Sequence, residues 1–177
     1  MTLNINNFKS QLQDGGARAN LFKIIINFPG FAGGNVEQTS FLCRAGAIPA
    51  AQVGIVEVPF RGRQLKLPGD RTFEDWTVSI YNDAAMEVHS AFVRWQDGMN
   101  GFTTNTGITT PETLFADLKV QQLDRQENVV KEFLIEDAWP TQIGAIELNY
   151  DQTTAIEQFD VTFAYLQWSS VDTTGQV

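Results

Sequence analysis

The chain has 177 residues, of which 43% are hydrophobic and 11% aromatic, so we expect one domain with a substantial core rather than a disordered chain. Twelve Lys and Arg residues against 21 Asp and Glu residues give a formal net charge of −9, which disfavours a surface that binds nucleic acid phosphates. A single cysteine excludes an internal disulfide, and the apolar runs are far shorter than the ~20 residues of a membrane-spanning helix. We therefore expect a soluble, cytosolic chain without membrane insertion.

Two strands and a long connection are predicted in the first part of the chain. Residues 21–28 place Phe22, Ile24, Ile26 and Phe28 at alternate positions on one face, and this β-branched and aromatic content indicates a strand. Residues 41–44 are predicted to return beside it as the second strand of a hairpin. From 45 to 70, proline and glycine recur so closely that we expect an extended loop with short extended pieces at 55–60 and 64–67.

The pattern of apolar residues changes from strand to helix in the middle of the chain. Residues 73–81 alternate between apolar and polar side chains and predict a strand with Trp76 on its buried face. Asn82 and Asp83 are favourable N-cap residues, and the apolar residues after them recur at helical spacing. This pattern predicts one helix at about 84–97.

The second half of the chain is predicted to consist of strands joined by turns. A loop rich in glycine, asparagine and threonine, 98–111, connects the two halves. Two alternating runs, 118–123 and 129–138, flank the polar turn 124–128 and predict a projecting hairpin, which Trp139 and Pro140 close. Two further strands and a frayed tail follow at 145–150, 159–165 and 169–177.

These elements together predict a mainly β fold, an antiparallel β-sandwich or barrel with one packed α-helix. We expect a single domain over residues 1–177, with an N-terminal arm at 1–17 and a C-terminal tail at 169–177. The sequence shows no internal repeat and no block of low complexity.

No combination of side chains in the sequence predicts catalysis. His89 is the single histidine, and neighbouring Ser90 lies on a different side of the predicted helix. Cys43 lies on an apolar-rich segment, where an inert buried thiol is the simpler interpretation. Nucleotide-binding glycine motifs and metal-ligand loops are missing from the sequence. We therefore expect no enzymatic activity, no cofactor and no bound metal.

The segment 69–76 combines a turn, charges of both signs and two aromatic residues. One interpretation is an ordinary turn with a surface ion pair before the buried Trp76. The other is a subunit contact, because arginine and aromatic residues are enriched at the centres of interfaces. Under the second interpretation the candidate interface residues are Arg71, Glu74 and Asp75.

Several segments resemble one protein family in their order and spacing. The segment 69–76, followed by 92–96, 139–141 and 159–162, is similar to the tail tube proteins of contractile-tailed, T4-like bacteriophages. The resemblance extends over roughly residues 18–168. It implies a β-sandwich protomer with one helix, and hexameric rings that stack into a hollow tube inside a contractile sheath.

The resemblance also implies partners and a location. The partners are further copies of the chain, the tail sheath protein, and the baseplate and tail terminator proteins. DNA passes through the lumen without specific binding, and an acidic wall agrees with that role because it withholds the counterion release that drives phosphate binding. The protein is made in the cytoplasm of the host bacterium and becomes part of the virion tail.

Rings that close and then stack need at least two distinct complementary patches on each protomer. In related tubes the long early segment reaches a neighbouring ring, so the resemblance makes the extended loop at 45–70 one candidate patch. The charged turn between the strands of the later hairpin is the second. The candidate residues in the two patches are Arg61, Arg63, Asp124, Arg125 and Glu127.

Three other functions stay open at this point. A baseplate protein that initiates the tube usually carries an extra domain, for which we expect no room in this chain. The inner tube of a phage-derived contractile injection system or bacteriocin has the same features, and only neighbouring genes separate it from a phage tube. A monomeric β-sandwich binding module would be monomeric in solution and would carry a ligand groove.

Overall fold

A computed structural model describes residues 4–12, 16–151 and 153–170 of the chain. Within these ranges the protein is mainly β, with antiparallel sheets and three α-helices, which confirms the predicted fold class. The helices are α1 (Ile5–Gln11), α2 (Val36–Leu42) and α3 (Glu87–Met99). The strands are β1 (Phe22–Ile26), β2 (Cys43–Gly46), β3 (Gln52–Phe60), β4 (Arg63–Thr72), β5 (Trp76–Tyr81), β6 (Ala116–Leu123), β7 (Val129–Ile143), β8 (Gln158–Ala164) and β9 (Gln167–Ser170).

Strand β7 connects the two halves of the main sheet. Seven strands form this sheet in the order β1-β6-β7-β8-β5-β2, with β9 added on β7. The first part of β7 pairs with β6 and β9, whereas residues from Trp139 onward pair with β8. Asp137, with a φ of 54°, lies in the register shift of the β6–β7 pairing, shortly before Trp139. Strand β7 therefore joins the β6 side of the sheet to the β8 side, and both sides contribute residues to one core.

Helix α3 supplies the aromatic part of that core. Its buried face carries Val88, Ala91, Phe92 and Trp95 at helical spacing. The rings of Phe92 and Trp95 both lie with their centroids 6.1 Å from the Phe163 ring on β8. None of the described helices has the length and apolar content that crossing a membrane requires.

The helix begins and ends later than the predicted range of 84–97. Met86 has a φ of 55°, in the left-handed region, so the chain makes a turn before the helix begins. Asp83 still caps the helix, because its carboxylate oxygens accept hydrogen bonds from the backbone N–H groups of Glu87 and Val88, both at 3.2 Å. The predicted loop 98–111 therefore begins inside α3.

The segment predicted as an extended loop, 45–70, instead contains most of a hairpin formed by β3 and β4. Proline is tolerated there because both strands of a two-stranded sheet are edge strands, on which a missing N–H need not break the pairing. Gly54 and Gly69 lie where the pairing register shifts, and a Cβ on Gly69 would come within 3.2 Å of the Gly54 backbone. The extended pieces predicted at 55–60 and 64–67 lie within the two strands.

Other local predictions were wrong because pairing partners lie far apart in sequence. Strand β1 pairs with β6 and β2 with β5, so the opening hairpin does not form. Residues 41–42 belong to the short helix α2, which Asn35 caps and which buries only Thr39. Strand β7 continues through Trp139 and Pro140, and the strand predicted at 145–150 is irregular chain.

The two predicted termini are only partly described. The N-terminal arm contains α1, and none of the residues of this helix is buried. Ser169 and Ser170 of the predicted tail belong to β9, and the rest of that tail lies outside the described residues.

Substitution of Trp76 tests the packing of β5. The Trp76 side chain is 3% exposed, and its Nε1 donates a hydrogen bond to the Ala47 carbonyl at 2.7 Å. We expect Trp76→Ala to lower the free energy of unfolding by about 3–5 kcal/mol, because it leaves a large cavity. Urea unfolding measures this change. The exposed neighbour Thr77 is the control, and Thr77→Ala should cost only about 0.2–1 kcal/mol, because it removes a cross-strand hydrogen bond to Thr162 Oγ1 at 3.1 Å but leaves no core cavity. Equal losses for both variants would contradict the assignment of the buried face.

Substitution of Asp83 tests whether its carboxylate caps the N-terminus of α3. Partial burial acts to raise the pKa of Asp83, but hydrogen bonds from the backbone N–H groups of Val88 and Glu87 outweigh it and hold the pKa below its usual value. We expect Asp83→Ala to lower the free energy of unfolding by about 1 kcal/mol at neutral pH. Such a carboxylate stabilises the fold above its unfolded pKa and loses that contribution as the pH falls through its folded pKa.

The difference between the parent chain and Asp83→Ala should therefore shrink below about pH 4, the usual pKa of an aspartate. Urea unfolding at several pH values measures it. Glu112→Ala, at an exposed position outside α3, is the control. A difference that is constant between pH 3 and pH 7 would show that the Asp83 carboxylate does not cap the helix.

Candidate functional site

The β3–β4 hairpin has one apolar face that is open to solvent. Residues directly opposite each other in an antiparallel pair share a face, which places Val56 with Leu67, Val58 with Leu65, and Phe60 with Arg63. The five apolar side chains of this face are between 41% and 68% exposed. A single two-stranded hairpin is at best marginally stable in water. This apolar face is therefore typical of a surface that is covered by another molecule.

The opposite face of the hairpin is mixed, because it carries charged side chains beside the exposed Ile55, which lies opposite Pro68. Glu57 and Lys66 lie opposite each other, and their Oε1 and Nζ atoms are 3.6 Å apart. Gln64 lies on the same face, opposite Pro59. The hairpin has four cationic and two acidic side chains, a formal charge of +2 within a chain of −9. These residues are Arg61, Arg63, Lys66 and Arg71, and Glu57 and Asp70.

The predicted interface residues Arg71, Glu74 and Asp75 lie at the base of this hairpin, and all three are exposed. The surface ion pair of the first interpretation of this segment does not form, because the two ion pairs among the described residues are Lys66–Glu57 and Lys119–Glu132. Burial raises the pKa of nearby Tyr165, and the negative charges of Asp75 and Glu74 raise it further. The two carboxylates therefore form an acidic patch beside Tyr165.

The charged turn between β6 and β7 is organised by its own aspartate. Asp124 Oδ1 accepts hydrogen bonds from the backbone N–H groups of Gln126 and Asn128, both at 2.8 Å. The side-chain amide and the backbone N–H of Asn128 hold the pKa of Asp124 below its usual value. Asp124 thus shapes the turn, and Arg125 and Glu127 are its exposed charged residues.

The eight predicted site residues occupy three separate places. Arg61 and Arg63 lie at the hairpin tip, where the Arg61 guanidinium lies 5.5 Å from the centroid of the Phe60 ring. The base of the hairpin holds the second group, and the β6–β7 turn holds the third. The structure therefore places the predicted residues on more than one surface of the protomer.

The sequence analysis missed a cleft of about 1010 Å³ at the far end of β5 and β8. Its charged lining residues are one cation and three acids, Arg44, Glu147, Glu157 and Asp160. Asn82, which was predicted as a helix cap, instead donates a hydrogen bond from Nδ2 to Glu157 Oε2 at 3.1 Å. The chain beside the cleft exposes large apolar side chains, Leu148, Tyr150 and Ile156. A strand was predicted at 145–150, and that assignment concealed the exposure of Leu148 and Tyr150.

The remaining candidate residues are His89 and Cys43, which the sequence analysis considered for catalysis. His89 is half-buried on α3, with its ring edge-on to Phe159 at 5.1 Å between centroids. Burial raises the pKa of the Cys43 thiol to about 12, so the thiol stays protonated at neutral pH. Among the described residues, no three His, Cys, Asp or Glu side chains lie close enough together to hold a metal ion.

Comparisons with known proteins agree on one family. The family model described as phage tail tube protein matches residues 6–171. The tail tube protein gp19 of Enterobacteria phage T4 is 35% identical over 153 residues, which cover 86% of this chain and 90% of that protein.

Solved structures of injection devices share the fold. A chain in the baseplate of the anti-feeding prophage is 11% identical, with a TM-score of 0.66, over 88% of this chain and 95% of that chain. A chain in the sheath-tube complex of an extracellular contractile injection system is 12% identical, with a TM-score of 0.63, over 91% and 95% of the two chains. The fold, the match along nearly the whole chain and the identity to gp19 together show that this chain belongs to the phage tail tube protein family.

Proposed function

We propose that this tail tube protein polymerises as stacked hexameric rings into the inner tube of a contractile tail. The observation that carries the proposal is the exposed apolar face of the β3–β4 hairpin, because one protomer leaves it unburied. A contact between two different patches closes into a ring or continues into a filament, depending on the rotation that it imposes. The hairpin supplies one such patch, and contact with a neighbouring copy would bury its apolar face.

The predicted charged residues are proposed to serve these contacts between subunits. Arg61 and Arg63 would act at the hairpin tip, where the Arg61 guanidinium lies over the exposed Phe60 ring and Arg63 is the strand partner of Phe60. Arg71, Glu74 and Asp75 would act at its base. Asp124 would act indirectly by holding the β6–β7 turn in shape, and Arg125 and Glu127 would then form the charged contacts of that turn.

The tube is proposed to conduct the phage genome into the host without catalysis. Six copies carry a formal charge of −54, and an acidic conduit does not retain DNA because it offers phosphates no cationic neutralisation. The tail sheath protein would surround the tube, and the baseplate and tail terminator proteins would hold its two ends. The protein would be made in the cytoplasm of the host bacterium and would function in the virion tail.

The same assembly would serve a contractile injection device that carries no genome. Purified particles that contain this chain distinguish the two cases, because DNA in the attached capsid indicates a phage. Free particles without a capsid indicate the device.

Tube formation itself is the first test of the proposal. Negative-stain electron microscopy of the purified protein should show rings or tubes. Leu65→Asp should abolish them and leave the circular dichroism spectrum of the protomer unchanged, because it places a charge on the apolar face of the hairpin. Gln64→Asp is a matched control, since it adds the same charge to the opposite face. A protein that stays monomeric at all concentrations, or a Leu65→Asp variant that forms normal tubes, would refute the proposal.

Substitution of Arg71 tests whether the base of the hairpin takes part in the contacts between subunits. Arg71→Ala should change protomer stability by less than about 0.5 kcal/mol, because the side chain is exposed and takes no part in the ion pairs among the described residues. At an interface the loss of one partner of a charge pair costs about 2–5 kcal/mol, so we expect the tubes to disappear. Thermal melts and tube counts measure the two effects, with Lys23→Ala on the exposed side of β1 as control. Normal tubes from Arg71→Ala would remove this residue from the interface.

A further inference from the structure

We infer that the cleft beside Arg44, Glu147, Glu157 and Asp160 receives the β3–β4 hairpin of a second copy of this chain. The inference rests on the proposed function and identifies the surface that accepts the hairpin. It accounts for two features that one protomer leaves unexplained, an apolar hairpin face open to solvent and an acidic cleft with an apolar rim.

The first argument is the position of the two surfaces along the same strands. Both ends of the hairpin join the body near Trp76, where β5 begins and where the Ala47 carbonyl accepts the Trp76 Nε1 hydrogen bond. The cleft is lined by Tyr81, where β5 ends, and by its partner Gln158 on β8. The hairpin base and the cleft therefore lie at opposite ends of β5, roughly 17 Å apart at ~3.3 Å per residue.

A projection at one end and a receptor at the other lead to head-to-tail stacking. Each copy that places its hairpin into the next cleft leaves its own cleft available for another copy, so the contact repeats without limit. The hairpin strands are nine and ten residues long, which gives a reach of ~30 Å. That reach exceeds the length of β5, so the hairpin can extend beyond the body of its own protomer.

The second argument is the complementarity of charge. The hairpin carries a formal charge of +2, whereas the charged residues that line the cleft sum to −2. In the cleft, Asp160 Oδ1 accepts a hydrogen bond from Ser79 Oγ at 2.5 Å, and the Arg44 guanidinium contacts Gln158. Glu147 is exposed and faces the cleft without taking part in the ion pairs found among the described residues.

The third argument is the match of apolar surfaces. The cleft rim exposes Leu148 at 79%, Tyr150 at 103% and Ile156 at 66% of their reference surfaces. These side chains can cover the apolar face of the hairpin, and Arg63 on that face would then lie near Glu147. Buried apolar contact gives the interface its stability, whereas the charges select this partner and orientation.

Photocrosslinking tests where the hairpin binds. We would replace Phe60 with p-benzoylphenylalanine, which keeps an aromatic ring at the tip. Tubes would be assembled from a mixture of 14N and 15N chains, and the crosslinks would be mapped by mass spectrometry. Crosslinks between a 14N chain and a 15N chain should join position 60 to peptides within 144–160. The same probe at Gln64, on the opposite face, should give at most about one tenth of these crosslinks, because it points away from the rim. Tubes whose crosslinks from position 60 map elsewhere would overturn the assignment of the cleft.

Charge reversal provides a second test that does not depend on the probe. Glu147→Arg should lower the number of tubes about tenfold, and adding Arg63→Glu in the same chain should restore it to within about twofold. Glu112→Arg makes the same charge change at an exposed position outside the cleft and should leave the tubes unchanged. Normal tubes from Glu147→Arg would also reject the cleft as the receptor and would leave the proposed tube intact. Absence of tubes from the parent chain would instead reject the proposed function.

Discussion

The long strand β7 is the element on which the other features of the protomer depend. It pairs with β6 and β9 along its first part and with β8 along its second, so one strand holds both halves of the sheet. Shortly before the change of partner the Asp137 backbone N–H donates a hydrogen bond to Asp117 Oδ1 at 3.2 Å. Because β8 pairs in turn with β5, this arrangement also positions β5 and β8 in the sheet. The direction of those two strands in turn separates the base of the hairpin from the cleft.

The protomer combines a well-packed body with an apolar surface that a single chain leaves exposed to solvent. In the body, helix α3 buries aromatic rings against β8, and the buried apolar residues form one cluster. In the β3–β4 hairpin, by contrast, both strands carry exposed apolar residues. A monomeric protein rarely keeps a contiguous surface of this kind. The same chain therefore separates the residues that stabilise the protomer from those available for assembly.

The titratable side chains of the protomer take different positions in the fold. Half-buried His89 contacts an aromatic ring, and the protonated Cys43 thiol is a poor nucleophile at neutral pH. Charged residues are used differently in this fold. Asp83 caps a helix and Asp124 shapes a turn, whereas the charges at the hairpin tip and its base stay exposed. The first two positions thus contribute to local structure, and the exposed charges are available for contact with other subunits.

The sequence by itself determined the fold class, the buried face of β5, the β6–β7 hairpin and the family. These features depend on local alternation, on helical spacing, or on segments whose order and spacing are preserved. Only the tertiary structure decided that β1 pairs with β6 and β2 with β5, because pairing across long stretches of chain leaves no local pattern. It also decided that 45–70 contains a hairpin, since prolines that argue against a central strand are tolerated on edge strands. The cleft had no sequence signal, because it forms where the ends of β5 and β8 meet the irregular chain around Leu148, and that proximity exists only after folding.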